Sequence, residues 1–208
     1  MKKVFLLVVI LGILFIRPTF AQSLKIGITA GLNVSNTTIY SDNIFKAGFQ
    51  AGVVVDFGMS DKFSIIPELL FSQRGFKNKH IRGYDLEHPS GYLIDEPITS
   101  TLNYLQLPIN AAYKFDLGND SKIIVFVGPY LGYILSANTN GAYVVIKRSY
   151  RFDFGTNAGI GYQYEKIFVK LQYNQGIINL LKSSHLIYPE GISMRNINIA
   201  LTAGYFFN

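Results

Sequence analysis

The chain has 208 residues, a formal net charge of +6, and neither cysteine nor tryptophan. Charged residues make up 15%, against about 25% in an ordinary soluble domain. Hydrophobic residues make up 49%, yet beyond residue 21 they form no continuous apolar run long enough for a membrane helix, so a soluble globule, a disulfide-stapled domain and a helical membrane protein all fit poorly.

Residues 1–21 read as an export signal. Lys2 and Lys3 precede the apolar run Val4 to Ile16, and Thr19-Phe20-Ala21 offers a small-residue cleavage site before Gln22. The run is shorter than the roughly 20 residues a spanning helix needs. Removing the signal takes away Lys2, Lys3 and Arg17, so the charge falls from +6 to +3. That modest basicity implies no nucleic-acid partner. Residues 22–208 are then one domain by length.

From Leu24 onward the chain alternates. Leu24, Ile26, Ile28, Ala30, Leu32 and Val34 are set against Lys25, Gly27, Thr29, Gly31, Asn33 and Ser35. Side chains of a strand point to opposite faces in turn, so this pattern predicts a strand with one greasy face. The same period of two recurs in Phe45–Gly58, Phe63–Gly75, Leu102–Phe115, Arg151–Tyr164, Ile167–Ile178 and Asn196–Phe207. Ile123–Ala137 is apolar on both faces, and Val125, Val127, Leu131, Tyr133 and Leu135 are placed outward. Connections alternate in length. Gly58–Lys62, Asp116–Lys122 and Glu165-Lys166 are short; Asn36–Ile44, Phe76–Thr101, Asn138–Tyr150 and Asn179–Ser193 are long.

This is the plan of an all-β, eight-stranded antiparallel up-and-down transmembrane β-barrel, with short periplasmic turns and long external loops. A soluble barrel also alternates, with its apolar face inward. Two features select the membrane form. The less greasy face is crowded with glycine, which suits a narrow barrel interior better than a solvated surface. Aromatics of the greasy face gather near strand ends, as in the girdles at membrane interfaces.

The segments K-I-G-I-T-A-G-L-N (25–33), I-P-E-L-L-F-S-Q-R-G (66–75), L-N-Y-L-Q-L-P (102–108), V-G-P-Y-L-G-Y-I-L-S-A (127–137) and F-D-F-G-T-N-A-G-I-G-Y (152–162) carry a family likeness. In them the chain resembles the outer-membrane β-barrel domain family of Bacteroidetes, which includes PorT-type proteins and many labelled "porin family". The resemblance implies a Gram-negative outer membrane and a barrel. It implies no particular activity.

Chemistry-bearing residues fall in two groups. The first is a set of inward-facing charges: Lys25, Asp56, Lys114 and Lys170 toward the periplasmic ends, Glu68 near mid-barrel, and Lys46, Arg74, Arg151 and Asp153 toward the external ends. Asp56 is expected to pair with Lys25, Lys114 or Lys170, and Glu68 and Asp153 with Arg74 or Arg151. Such a set either fills the lumen with salt bridges or lines a selective path. Tyr104, Phe126 and Tyr130 would plug the interior further. The second group lies in the 76–101 connection, which is longer than an ordinary hairpin loop. There Arg82, Tyr84, Asp85, Glu87, Tyr92 and Asp95 interleave charge with aromatics, as a recognition surface does; a solvated loop is the alternative.

No nucleophile motif is present, and His80, His88 and His185 all fall in expected loops at no metal-ligand spacing. The expectation is a non-enzyme without cofactor. Its partners would be outer-membrane lipid, the barrel-assembly machinery during insertion, and a protein at the external loops. A structural or binding barrel with a filled lumen is the first reading. A small-solute channel and an accessory subunit of a secretion or uptake machine are the alternatives.

Overall fold

A computed structural model describes residues 23–38, 43–84, 93–140, 151–180 and 194–208; side-chain surroundings are described for these except 43, 78–84, 93–98 and 139–140. The export signal expected at 1–21 lies outside them. Eight strands follow in chain order: β1 (Ser23–Thr37), β2 (Asn43–Gly58), β3 (Phe63–Tyr84), β4 (Leu93–Gly118), β5 (Ser121–Asn140), β6 (Phe152–Tyr164), β7 (Ile167–Gly176) and β8 (Asn196–Phe206). Each pairs antiparallel with the next, and β8 pairs with β1, so the sheet closes into a barrel in up-and-down order. Closure leaves no sheet edge within the wall, which a strand in lipid requires because nothing there can satisfy a free N–H.

The period of two sets the faces. On β6, exposed and buried residues alternate nearly throughout, and on β7 they do so from Ile167 to Asn174. Outward residues such as Leu32, Val53, Leu69, Ile109, Val127, Phe154, Leu171 and Leu201 are large, apolar and exposed, whereas Gln50, Glu68, Gln106, Asp153, Gln172 and Asn198 are buried. The polarity is inverted relative to a soluble protein, as the lipid phase demands. Outward aromatics meet in pairs. Tyr113–Phe115 and Tyr205–Phe207 lie near one rim, with ring centroids 4.8 and 6.1 Å apart. Phe49–Phe71 and Tyr133–Phe152, at 5.6 and 5.2 Å, lie toward the other. The two-faced apolar strand also takes the expected register, with Val125, Val127, Leu131 and Leu135 outward and Phe126 and Tyr130 inward.

The short connections gather at one end. Asn119 and Asp120 turn β4 into β5 with φ of 51° and 57°, the left-handed pair that matches strand twist in a two-residue hairpin. At the other end the ladder is irregular. The β2–β3 register shifts between Phe45 and Gln50. Across that shift, Ser35 of β1 reaches β3 directly: its Oγ accepts from Gly75 N at 2.8 Å and donates to Gly75 O at 3.0 Å. Gly75 has φ +148°, and a Cβ there would meet Ser100 O at 1.9 Å, so only glycine fits this kink.

One expected boundary is overturned. The 76–101 segment is not a free connection. β3 runs on to Tyr84 and β4 begins at Leu93, with register from Phe76↔Ser100 to Tyr84↔Leu93. The strands continue because backbone pairing does not need alternation; alternation marks only a wall with two different faces.

Candidate functional site

The lumen is built in layers, described from the short-turn end upward. Lys114 Nζ meets Asp56 Oδ2 at 2.5 Å. Around and above that pair lies an apolar layer of Val54, Ile66, Ala112, Ile124, Phe126, Phe168 and Phe206, with the Phe168 and Phe206 rings 4.9 Å apart. Lys170 forms an ion pair with Glu68, and Asn110 Nδ2 donates to the other Glu68 oxygen at 3.4 Å. A cavity of about 30 Å³ touches Asp56, Glu68 and Lys170 within this layer, room for a water or two. Amides of Gln50, Gln106, Gln172, Asn157 and Asn198 occupy the interior above, each about 1% exposed or less.

Toward the loop end sits Arg74, 1% exposed. Its Nε donates to Ser72 Oγ at 3.1 Å and its Nη2 donates to Gln106 Oε1. The guanidinium carbon lies 5.3 Å from the Tyr104 ring centroid and 5.6 Å from that of Tyr130, a favourable place for a cation held out of water. Tyr130 O–H donates to Asp153 Oδ2 at 3.2 Å. A second apolar layer of Phe76, Leu102, Tyr104, Ile134, Leu180 and Met194 covers this cluster. Leu180 and Met194 belong to the two described ends of the β7–β8 connection, tied by Leu180 N donating to Met194 O at 2.9 Å. The loop end is therefore stoppered by its own connection.

Of the expected charge network, Asp56 does pair with one of its three candidates, Lys114. The other pairings differ. Glu68 takes Lys170 of β7, not Arg74 or Arg151. Asp153 meets a tyrosine hydroxyl, and among the described residues no ion pair joins it to Arg74 or Arg151. Lys25 is half-buried at the short-turn rim, its Nζ 5.9 Å from the Phe206 ring. Lys46 is buried near the other rim, Nζ donating to Ala47 O at 3.4 Å. Arg151 is half-buried and precedes β6. Missed from the sequence were the apolar stoppers Phe168, Phe206, Ile134, Leu180 and Met194. The parity of Phe168 and Phe206, opposite to the greasy set on their strands, was the available signal.

Glycine makes this filling possible. Phe126 lies directly across from Gly159, Tyr130 from Gly155, and Phe168 from Gly204. A Cβ at Gly159, Gly155 or Gly204 would stand 2.4, 2.5 or 2.1 Å from the facing ring. Each ring needs the notch opposite it, since eight strands leave an interior only just wide enough for side chains to fill.

The second candidate is the β3–β4 extension. On this side a polar line crosses the outer face of β3, β4 and β5: Gln73 Nε2 donates to Asn103 Oδ1 at 3.4 Å, and Asn103 Nδ2 donates to Ser136 Oγ at 2.9 Å. Beyond Gln73, β3 continues for 11 residues to Tyr84. The described pairing with β2 extends to Asn43↔Asn78 and that with β5 to Thr99↔Asn140. Past those points the two arms pair only with each other among the described residues. Arg82↔Asp95 is one register pair there. Tyr84 closes the described ladder, while Asp85, Glu87 and Tyr92 lie outside the described residues, as do His88 and His185. Among the described residues no cluster of His, Cys, Asp or Glu could hold a metal ion.

A closed eight-stranded barrel with a lipid-facing apolar wall and a polar, filled interior defines an outer-membrane β-barrel. The family model described as "Outer membrane protein beta-barrel domain" matches residues 20–182. The chain belongs to that family. No curated protein matches it significantly. Among solved structures it is similar to Ail, the attachment invasion locus protein of Yersinia pestis, at 14% identity over 89% of this chain and 100% of that one, with a TM-score of 0.44. It is also similar to Neisserial surface protein A, at 12% identity, 90% and 99% coverage and a TM-score of 0.46. OprG from Pseudomonas aeruginosa gives 11%, 90%, 98% and 0.46. At these identities the likeness concerns the fold alone.

Proposed function

We propose that this protein is a non-enzymatic, non-conducting anchor that carries the β3–β4 hairpin out of the outer membrane as a binding element. The observation that carries this reading is the register-paired ladder running past the polar line and past the last described partners on β2 and β5. At about 3.3 Å per residue, the 11 residues beyond Gln73 make roughly 35 Å of strand. Short turns of outer-membrane barrels face the periplasm, so the hairpin belongs to the outer surface. The stoppered lumen supports the anchor reading over a solute channel, because two apolar layers and two ion pairs stand across the path. Residues 1–21 belong to this reading as a cleaved export signal, and the barrel-assembly machinery as the means of insertion. Kinship to the PorT-type proteins of Bacteroidetes, drawn from the sequence motifs, would make the binding element part of a secretion assembly.

The test uses intact cells with a photo-crosslinking residue at position 82. The account expects protein adducts that vanish when Gly83 to Glu96 is replaced by a short Gly/Ser link, with the barrel still folded. The same adducts from the trimmed protein would contradict it.

A further inference from the structure

We infer that β3 and β4, with the facing stretches of β2 and β5, form a sector of the barrel that opens locally on its own, and that the Glu68–Lys170 ion pair is the latch that holds it shut. The inference concerns the middle of the wall and goes beyond the presentation of the hairpin.

The ground is a set of breaks in the backbone ladder. The seams β5–β6, β6–β7, β7–β8, β8–β1 and β1–β2 pair residue by residue without interruption. The seams from β2 to β5 do not. Between Val54↔Glu68 and Phe57↔Ile65, the β2–β3 ladder skips Val55–Pro67 and Asp56–Ile66. Between Pro67↔Ile109 and Leu70↔Gln106, the β3–β4 ladder skips Glu68–Pro108 and Leu69–Leu107. Between Pro108↔Tyr130 and Ala111↔Val127, the β4–β5 ladder skips Ile109–Pro129 and Asn110–Gly128. The register is the same on both sides of each break, so none is a bulge.

Each break holds one proline. A residue in an antiparallel ladder exchanges its backbone bonds with one neighbour, so a proline, lacking the N–H, empties the pair on one side only. Pro67, Pro108 and Pro129 accordingly keep register with Ile109, Tyr130 and Thr156 on their other sides. Proline is normally confined to sheet edges, and a lost backbone bond is costly where lipid offers no replacement. Three such losses on adjacent strands mark a weak sector.

The lumen ties sit at the same breaks. Asp56, Glu68 and Asn110 each belong to one of them, and each is 2% exposed or less. Lys114 holds Asp56, and Asn110 donates to Glu68, so these bonds join β4 to β2 and β3 within the sector. The Glu68–Lys170 pair instead crosses the lumen to β7, in the unbroken half. Local opening draws on the least bonded part of a structure. Parting Glu68 from Lys170 frees the sector to open while β6, β7 and β8 keep their pairs.

The test reads hydrogen exchange amide by amide on the full protein in lipid nanodiscs. In the wild type, amides within 65–70 and 105–111 should exchange faster than those of the central residues of β6 and β8. Glu68→Gln with Lys170→Met removes the tie without leaving a charge unpaired. That variant should raise exchange within 65–70 and 105–111 at least about tenfold, the effect of losing one charge-assisted hydrogen bond, and leave β6 and β8 unchanged. Adding Pro67→Val, Pro108→Val and Pro129→Val supplies the missing N–H groups and should return exchange to near the wild-type rate. Each proline replacement made singly in the wild type should slow exchange at its own break, which keeps the test decisive if the combined variant does not fold. A rise spread evenly over all eight strands, or no rise, overturns the latch. Proline replacements that leave exchange at the breaks unchanged overturn the weak sector.

Discussion

Two stretches of the same two strands behave differently. Below the Gln73–Asn103–Ser136 line, β3 and β4 are wall: Leu69, Leu105 and Leu107 face outward, while Leu70, Tyr104 and Gln106 are buried. Farther out, past Asn78 on β3 and Thr99 on β4, the described pairing of the two strands is only with each other. The wall is held by its two environments, the extension by backbone pairing. Alternation is thus a print of the surroundings rather than a property of strands. A change in the wall should be costly, and a change in the extension should matter only to what binds there.

The sharpest way to break that contrast is to orphan a lumen charge. Glu68→Ala leaves Lys170 buried without its partner, and such a cut costs about 3–5 kcal/mol. Urea unfolding in lipid vesicles should show a lower midpoint with little change in slope. The double replacement Glu68→Gln with Lys170→Met should recover much of the loss. Next comes a charge on the lipid side. Val53 is exposed at the middle of β2, and Val53→Arg should cost about 2–4 kcal/mol. Asp61, exposed in the β2–β3 turn, should accept arginine with a change within about 0.5 kcal/mol. Equal effects at both would refute the lipid-facing assignment. Smaller again is the glycine notch. Gly159→Ala must push the Phe126 ring and its own partner strand, an overpacking worth about 1–3 kcal/mol. Smallest is the extension: replacing Gly83 to Glu96 by a short Gly/Ser link should leave the unfolding midpoint unchanged, because the replaced stretch lies outside the described pairs of β3 with β2 and of β4 with β5.

The same contrast explains what could be read in the sequence. All eight strands were legible because each crosses a wall with two unlike faces, and the period of two survives even in the apolar β5. Asp56 with Lys114 was legible as one of three options, since inward parity limits the candidates. The Glu68–Lys170 pair was not, because parity gives the face but not the height, and strand tilt sets the height. Phe168 and Phe206 were hidden as apolar residues on a face expected to be polar. The narrow lumen stoppers itself with rings set against Gly204 and its like, so hydrophobicity is not reserved for lipid. The extension was read as loop for the converse reason: pairs such as Arg82↔Asp95 and Tyr84↔Leu93 persist there, but the sequence carries no period of two.

The chain has no native cysteine, which makes a direct measurement of the two regions simple. Single cysteines at Arg82 in the hairpin and at Asn119 in the β4–β5 turn can be probed with a bulky maleimide that does not cross the outer membrane. The account predicts that Arg82→Cys is labelled on intact cells, while Asn119→Cys is labelled only after the outer membrane is opened. Protection of Arg82→Cys on intact cells, or labelling of Asn119→Cys there, would contradict a barrel that holds its β3–β4 hairpin at the cell surface.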